Sequence, residues 1–133
     1  KKMSLITFLT EHKINASFGF KLAFSDERHP QKKMTIGYTS DTRYEADIIA
    51  HLSNSDILIA NISELSKKDL ENDFQENDKH LRLNGCKKSI KKCKPNLFLV
   101  SEFWGGKGDI RILVTKLLQQ YIEDINEKKE SDH

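Results

Sequence analysis

No apolar run in the sequence approaches the roughly 20 residues a helix needs to cross a bilayer. The opening Lys1-Lys2-Met3-Ser4 has neither the apolar core nor the cleavage site of a secretory signal. The expectation is a soluble, cytoplasmic protein with no membrane partner. Cysteine is scarce: Cys86 and Cys93 sit in a lysine-rich segment and match neither a Cys-x-x-Cys pair nor a disulfide framework, which points to a reducing compartment. Net charge is small, +2 from 22 basic and 20 acidic residues, so no overall field drives the chain onto nucleic acid or membrane. Internal repeats, low-complexity blocks, the glycine spacing of a dinucleotide fingerprint and that of a P-loop are all missing.

What is present suffices for one compact domain and is too little for two: 133 residues, 37% hydrophobic and 32% charged. The chain opens with two lysines ahead of its first Met and enters a strand almost at once, as a piece of a longer polypeptide would. Met3 to Leu9 has strand composition and ends at Thr10-Glu11-His12. Phe18, Phe20, Leu22 and Phe24 alternate, the period of a strand covered on one side. Ser25 to Lys33, with Pro30 inside it, reads as a polar connection to a strand of Met34, Ile36 and Tyr38, and these two strands should pair antiparallel.

Tyr44 to Leu52 predicts a short helix ended by Asn54-Ser55-Asp56, and Ile57-Leu58-Ile59-Ala60 a strand buried on both faces. Glu64 to Lys79 is a charged excursion anchored only by Leu65, Leu70 and Phe74. Leu83, Cys86, Ile90 and Cys93 then mark one helix face, which makes the cysteines core thiols, with Lys87, Lys88, Lys91 and Lys92 on the solvated side. Pro95 stops that helix, and Leu97-Phe98-Leu99-Val100 is a further buried strand ending at Ser101-Glu102. After the glycine-rich Phe103 to Gly108, Asp109 stands as an N-cap before the clearest helix, with Ile110, Leu113, Val114, Leu117, Leu118, Tyr121, Ile122 and Ile125 at three-four spacing. The domain is expected to span 1–125, with 126–133 a charged, disordered tail.

Chemistry gathers where strands end. Asp41 follows the Met34-Ile36-Tyr38 alternation directly, in the kind of loop where α/β folds place ligands. It reads as a metal ligand, a general base or a turn residue. His12 and Glu102 follow strands too, and His80 lies in the acidic-to-basic transition Lys79-His80-Leu81. Imidazole and carboxylate in converging loops are the ligand set of zinc, manganese or iron hydrolases. The other reading is that both histidines are ordinary polar residues, because ligand spacing across loops is not diagnostic.

The order of these motifs resembles the C-terminal half of the metallo-β-lactamase fold, especially its phosphodiesterase and nuclease-like branches. His12 to Phe20 looks like that family's metal-binding His before a Gly-aromatic strand, and Gly37-Tyr38-Thr39-Ser40-Asp41-Thr42 like its loop ending in the metal-bridging Asp. Asp56 to Asn61 is similar to the buried strand with a polar terminus that follows. His80-Leu81, the helix and Lys94-Pro95 are similar to the segment whose His faces substrate. The resemblance implies an α/β (α+β) fold: one half of an αββα sandwich, a mixed sheet with helices on one face. It further implies two divalent metal ions, zinc or manganese, held by His12 and Asp41, with His80 catalytic and substrate-contacting; Glu102 would then substitute as the last metal ligand, and Lys107, beyond the resemblance, would help bind the phosphate of a nucleic acid or phosphate ester.

Two departures matter. Ser101-Glu102-Phe103 stands where the family commonly has Thr-His-Phe, so Glu102 either ligates through oxygen or marks a lost site. The HxHxDH motif of the N-terminal half is absent. One half of such a sandwich alone would expose an apolar sheet face, so an N-terminal half, as a separate chain or a cleaved segment, is expected as partner. The competing expectation is a catalytically inert, metallo-β-lactamase-like interaction module. A third is a small metal-free α/β binding domain.

Overall fold

Period-two alternation builds the first three strands as an antiparallel meander. In the computed structural model, which describes residues 2–11, 16–65, 67–71, 79–103 and 109–131, β1 (Lys2–Thr10), β2 (Ser17–Asp26) and β3 (His29–Tyr38) pair in sequence. The polar connection expected over Ser25 to Lys33 is mostly strand. Pairing runs on through a bulge at Ser25/Asp26 to a tight turn, closed by the Arg28 N–H donating to Asp26 Oδ1 at 3.1 Å. After α1 (Ala46–Ala50), β4 (Ile57–Ser63) adds parallel to β3; after α2 (Lys67–Leu70) and α3 (Arg82–Cys93), β5 (Leu97–Phe103) adds parallel to β4. The result is a mixed five-stranded sheet in the order β1-β2-β3-β4-β5, followed by α4 (Arg111–Ser131).

The helices cover one face only. Leu58, Ala60 and Ile62 of β4 are fully buried beneath Ile49, Leu52, Leu83, Cys86, Ile90, Cys93, Val114 and Leu118, which form one core cluster. The expected face of α3 is thus the buried one, and its lysines are not simply solvated: Lys87 lies 5.6 Å from the Tyr121 ring centre and Lys88 5.2 Å from that of Tyr44. Burial pushes the Cys86 thiol up and the Cys93 thiol up to about 11, so both are inert packing groups. In the charged excursion, Asp69 is buried while the expected anchor Leu70 is exposed. Helix α4 continues past Asn126 through Ser131, where the sequence suggests a disordered tail, because Glu and Lys sustain a helix well. Among the described residues no helix is long and apolar enough to cross a membrane.

Among the described residues no helix covers most of the opposite face. Register aligns Met3–Phe24–Met34, Leu5–Leu22–Ile36–Ile57–Leu97, Thr7–Phe20–Tyr38–Ile59–Leu99 and Leu9–Phe18 into four rows. Met3, Leu5, Leu9, Phe18, Phe24, Met34, Leu97 and Leu99 are all exposed. The alternating aromatics of β2 therefore lie on the bare side, and Gly19, Lys21 and Ala23 face the helices. The strands expected to be buried on both faces, β4 and β5, are covered on one. Five strands at about 4.8 Å spacing and six residues at about 3.3 Å rise give a face on the order of 500 Å² in projection, at the upper end of patches monomers expose.

Candidate functional site

The three parallel strands end side by side, and each ends in backbone that L residues rarely adopt. Ser40 after β3, Ser63 at the end of β4 and Glu102 near the end of β5 have φ of 59°, 64° and 52°. Left-handed backbone at a non-glycine residue costs about 1–3 kcal/mol and persists where surrounding contacts hold it, often at functional sites. Here the contacts are polar. Ser40 and Ser17 hydroxyls lie 2.8 Å apart, and Thr10 Oγ1 donates to the Asp41 carbonyl at 3.2 Å. The Glu11 N–H donates to Thr42 Oγ1 at 3.2 Å, and the Arg43 N–H to the Glu11 carbonyl at 3.3 Å. The Asp41 loop is thereby tied to the end of β1.

Asp41 Oδ1 lies 2.7 Å from His80 Nδ1, and both side chains are partly buried. An ionised carboxylate only accepts, so Nδ1 carries the proton that faces Asp41. Ser63 Oγ closes the group, 3.1 Å from His80 Nδ1 and 3.4 Å from Asp41 Oδ1. A second pair adjoins it: Asn61 Nδ2 donates to Glu102 Oε2 at 2.7 Å, and Ser63 Oγ also lies 3.4 Å from Asn61 Oδ1. Tyr38 stands between the pairs. Its phenol is raised above its ordinary value first by burial and then by the Glu102 and Asp41 carboxylates, with a Ser40 hydrogen bond acting the other way.

Of the residues singled out in the sequence, Asp41, His80 and Glu102 come together at one end of the sheet. His12 and Lys107 lie outside the described residues, His12 one residue beyond Glu11. Tyr38, Asn61 and Ser63 belong to the site but are not singled out by sequence reasoning. The available signal was the change at the end of β4 from apolar residues to Asn61 and Ser63.

Two carboxylates and an imidazole are donors that a hard or borderline divalent ion accepts. Among the described residues, however, no three such groups surround a single point; His80 is bonded to Asp41 and Glu102 to Asn61. Asp41 and Glu102 bring two carboxylates to this margin, and the described residues alone do not complete a metal site.

No family model matches the sequence, and no curated protein matches it. Its fold does match solved structures. The metallo-β-lactamase fold protein YhfI from Bacillus subtilis superposes with a TM-score of 0.67 at 14% identity, over 90% of this chain and 43% of that one. A long form RNase Z from yeast superposes with a TM-score of 0.60 at 22% identity, over 74% of this chain and 13% of that one. The chain thus spans less than half the length of either protein, on their C-terminal side. Its mixed sheet, with helices on one face and polar groups at the parallel strand ends, has the metallo-β-lactamase fold, in the portion that forms that fold's C-terminal half.

Proposed function

We propose that this chain is one half of a metal-dependent hydrolase, a phosphodiesterase or nuclease, whose active site is completed by a second sheet layer: the N-terminal half of the same fold, from a separate chain or a cleaved segment. The observation that carries the reading is that Asp41 after β3, bonded to His80, and Glu102 in β5, bonded to Asn61 of the intervening β4, lie at one end of the sheet, at the polar margin of a face that the described residues leave largely bare. In it His12, Asp41 and Glu102 hold divalent ions, zinc or manganese, and Lys107 binds phosphate. Such ions supply Lewis-acid polarisation of the ester and a water nucleophile at neutral pH.

The chain's own residues then divide the work. Asp41 orients His80 through Nδ1 and sets its tautomer. His80 would contact the substrate and, when Nε2 carries a proton, donate to a developing oxyanion. The second layer excludes water from the apolar face and brings its ligands to the same end. That the yeast neighbour is an RNase Z supports a nuclease over other esterases.

The test is to purify the native particle without chelator, with every co-purifying polypeptide retained, and to measure its metal and its hydrolysis of a simple phosphodiester with manganese or zinc. Near-stoichiometric metal, and loss of activity in Asp41→Ala, are expected; activity undiminished in Asp41→Ala overturns the reading. The mutual engagement of Asp41 with His80 and of Glu102 with Asn61 favours a second reading, an inert interaction module. It predicts a particle that takes up no metal after reloading with each ion.

A further inference from the structure

We infer that Asn61 is a positioning residue that aims the Glu102 carboxylate into the site, an inference that rests on the reading of Glu102 as a ligand. Strand alternation alone sends Glu102 elsewhere. Leu58 pairs with Phe98 and Ala60 with Val100 on the helix-covered side, and Glu102 is next in that series. Its carboxylate nevertheless bonds Asn61, which follows Ile57 and Ile59 on the bare side. The left-handed φ of Glu102, 52°, makes that reversal, and the 2.7 Å bond from Asn61 Nδ2 holds it.

Asn61 is built for the task. Its side chain is essentially inaccessible at 1% exposure, and its backbone N–H is fixed by Thr39 Oγ1 at 3.1 Å. The orientation of its amide is settled by chemistry: a carboxylate accepts only, so the nitrogen faces Glu102 and Oδ1 faces the Ser63 hydroxyl. A neutral donor holds the carboxylate without neutralising it, as a salt-bridging Lys or Arg would. Oε2 takes the Asn61 hydrogen bond, and Oε1 is the oxygen that would be turned to a cation. An exposed Glu without this bond would spread over many rotamers.

The experiment compares the assembled native particle with Asn61→Leu, Glu102→Gln and the double variant. Manganese affinity is read by electron paramagnetic resonance, and the metal-free state by NMR of the Asn61 side-chain amide. Asn61→Leu, near in volume but without a donor, should weaken manganese binding about 10- to 100-fold, the usual effect of losing an outer partner of a ligand. The double variant should bind no more weakly than Glu102→Gln alone, because Asn61 acts through Glu102. Without metal, the Asn61 amide protons should be slow to exchange and should shift upfield and lose protection in Glu102→Gln. Asn61→Ser, too short to reach, repeats the test if Asn61→Leu does not fold. The inference fails if the amide protons ignore Glu102→Gln, or if the two single losses multiply in the double variant. Unchanged manganese affinity in Glu102→Gln would instead remove Glu102 from the ligand set, and the role of Asn61 with it.

Discussion

Asp56 shows how one side chain holds the end of the sheet opposite the site. Its Oδ2 accepts from the Thr35 N–H at 2.7 Å and from Thr35 Oγ1 at 2.8 Å, and its Oδ1 from Asn96 Nδ2 at 3.2 Å. Its own carbonyl accepts from the Leu97 N–H at 3.0 Å, so β3, β4 and β5 all meet on one residue. The Thr35 hydrogen bonds hold its carboxyl below the ordinary range. A folded pKa below the unfolded one stabilises the fold at pH above the unfolded value, about 3.9, and the stabilisation disappears as pH falls through the folded value. The urea midpoint should therefore drop more steeply below about pH 4 in the native sequence than in Asp56→Asn, measured by circular dichroism at several pH values. Equal slopes would show that the carboxylate is not engaged. None of this is visible in the sequence, where Asn54-Ser55-Asp56 reads only as the end of a helix.

At the scale of elements, the decisive contact is that of α1 and its following turn with β3. A Cβ added at Gly37 would lie 2.8 Å from Ser55 Oγ, 3.0 Å from Leu52 Cδ2 and 3.2 Å from Leu58 Cδ1. The glycine is needed for close approach. Gly37→Ala should cost about 1–3 kcal/mol through overpacking, read from equilibrium denaturation, and an unchanged midpoint would mean that the turn moves aside freely. The strands themselves were legible because alternation marks them, as was α3, whose three-four spacing chose the buried face correctly. What alternation conceals is its own failure at a strand end. Ser63 and Glu102 turn left-handed, and the sequence carries no local sign of it, since neither is a glycine.

The whole molecule is defined by a sheet covered on one side. Leu9 and Phe18, a cross-strand pair on the bare face, are 66% and 55% exposed. They contribute little to the fold of this chain and much to whatever covers it. The isolated chain should bind a hydrophobic dye and sediment above its monomer mass in a concentration-dependent way. Leu9→Ser with Phe18→Ser should reduce both, while unfolding shifts by no more than about 1 kcal/mol, the scale of one cross-strand pair. A monodisperse monomer that binds no dye would mean that the face is not sticky. The sequence anticipated a bare apolar face. It misassigned the detail, since the alternation of Phe18, Phe20, Leu22 and Phe24 tells that one face is apolar but not which layer covers it.

Sequence by itself determined most of the elements, though not α2, the meeting ends of β2 and β3 or the end of α4, because apolar period is a local property: two residues for strands, three to four for α3 and α4. It also determined that Asp41 follows a strand and that the two thiols sit inside the core, while Glu102, expected after β5, lies within its end. Only the tertiary structure decided which strand ends are neighbours. The order β3-β4-β5 brings Asp41 and Glu102 to one margin and supplies Asn61 and Ser63 between them, and it sets the helices on one face. Those are relations between residues some 20 to 60 positions apart, fixed by which strands pair and which surfaces pack, and no local pattern encodes them.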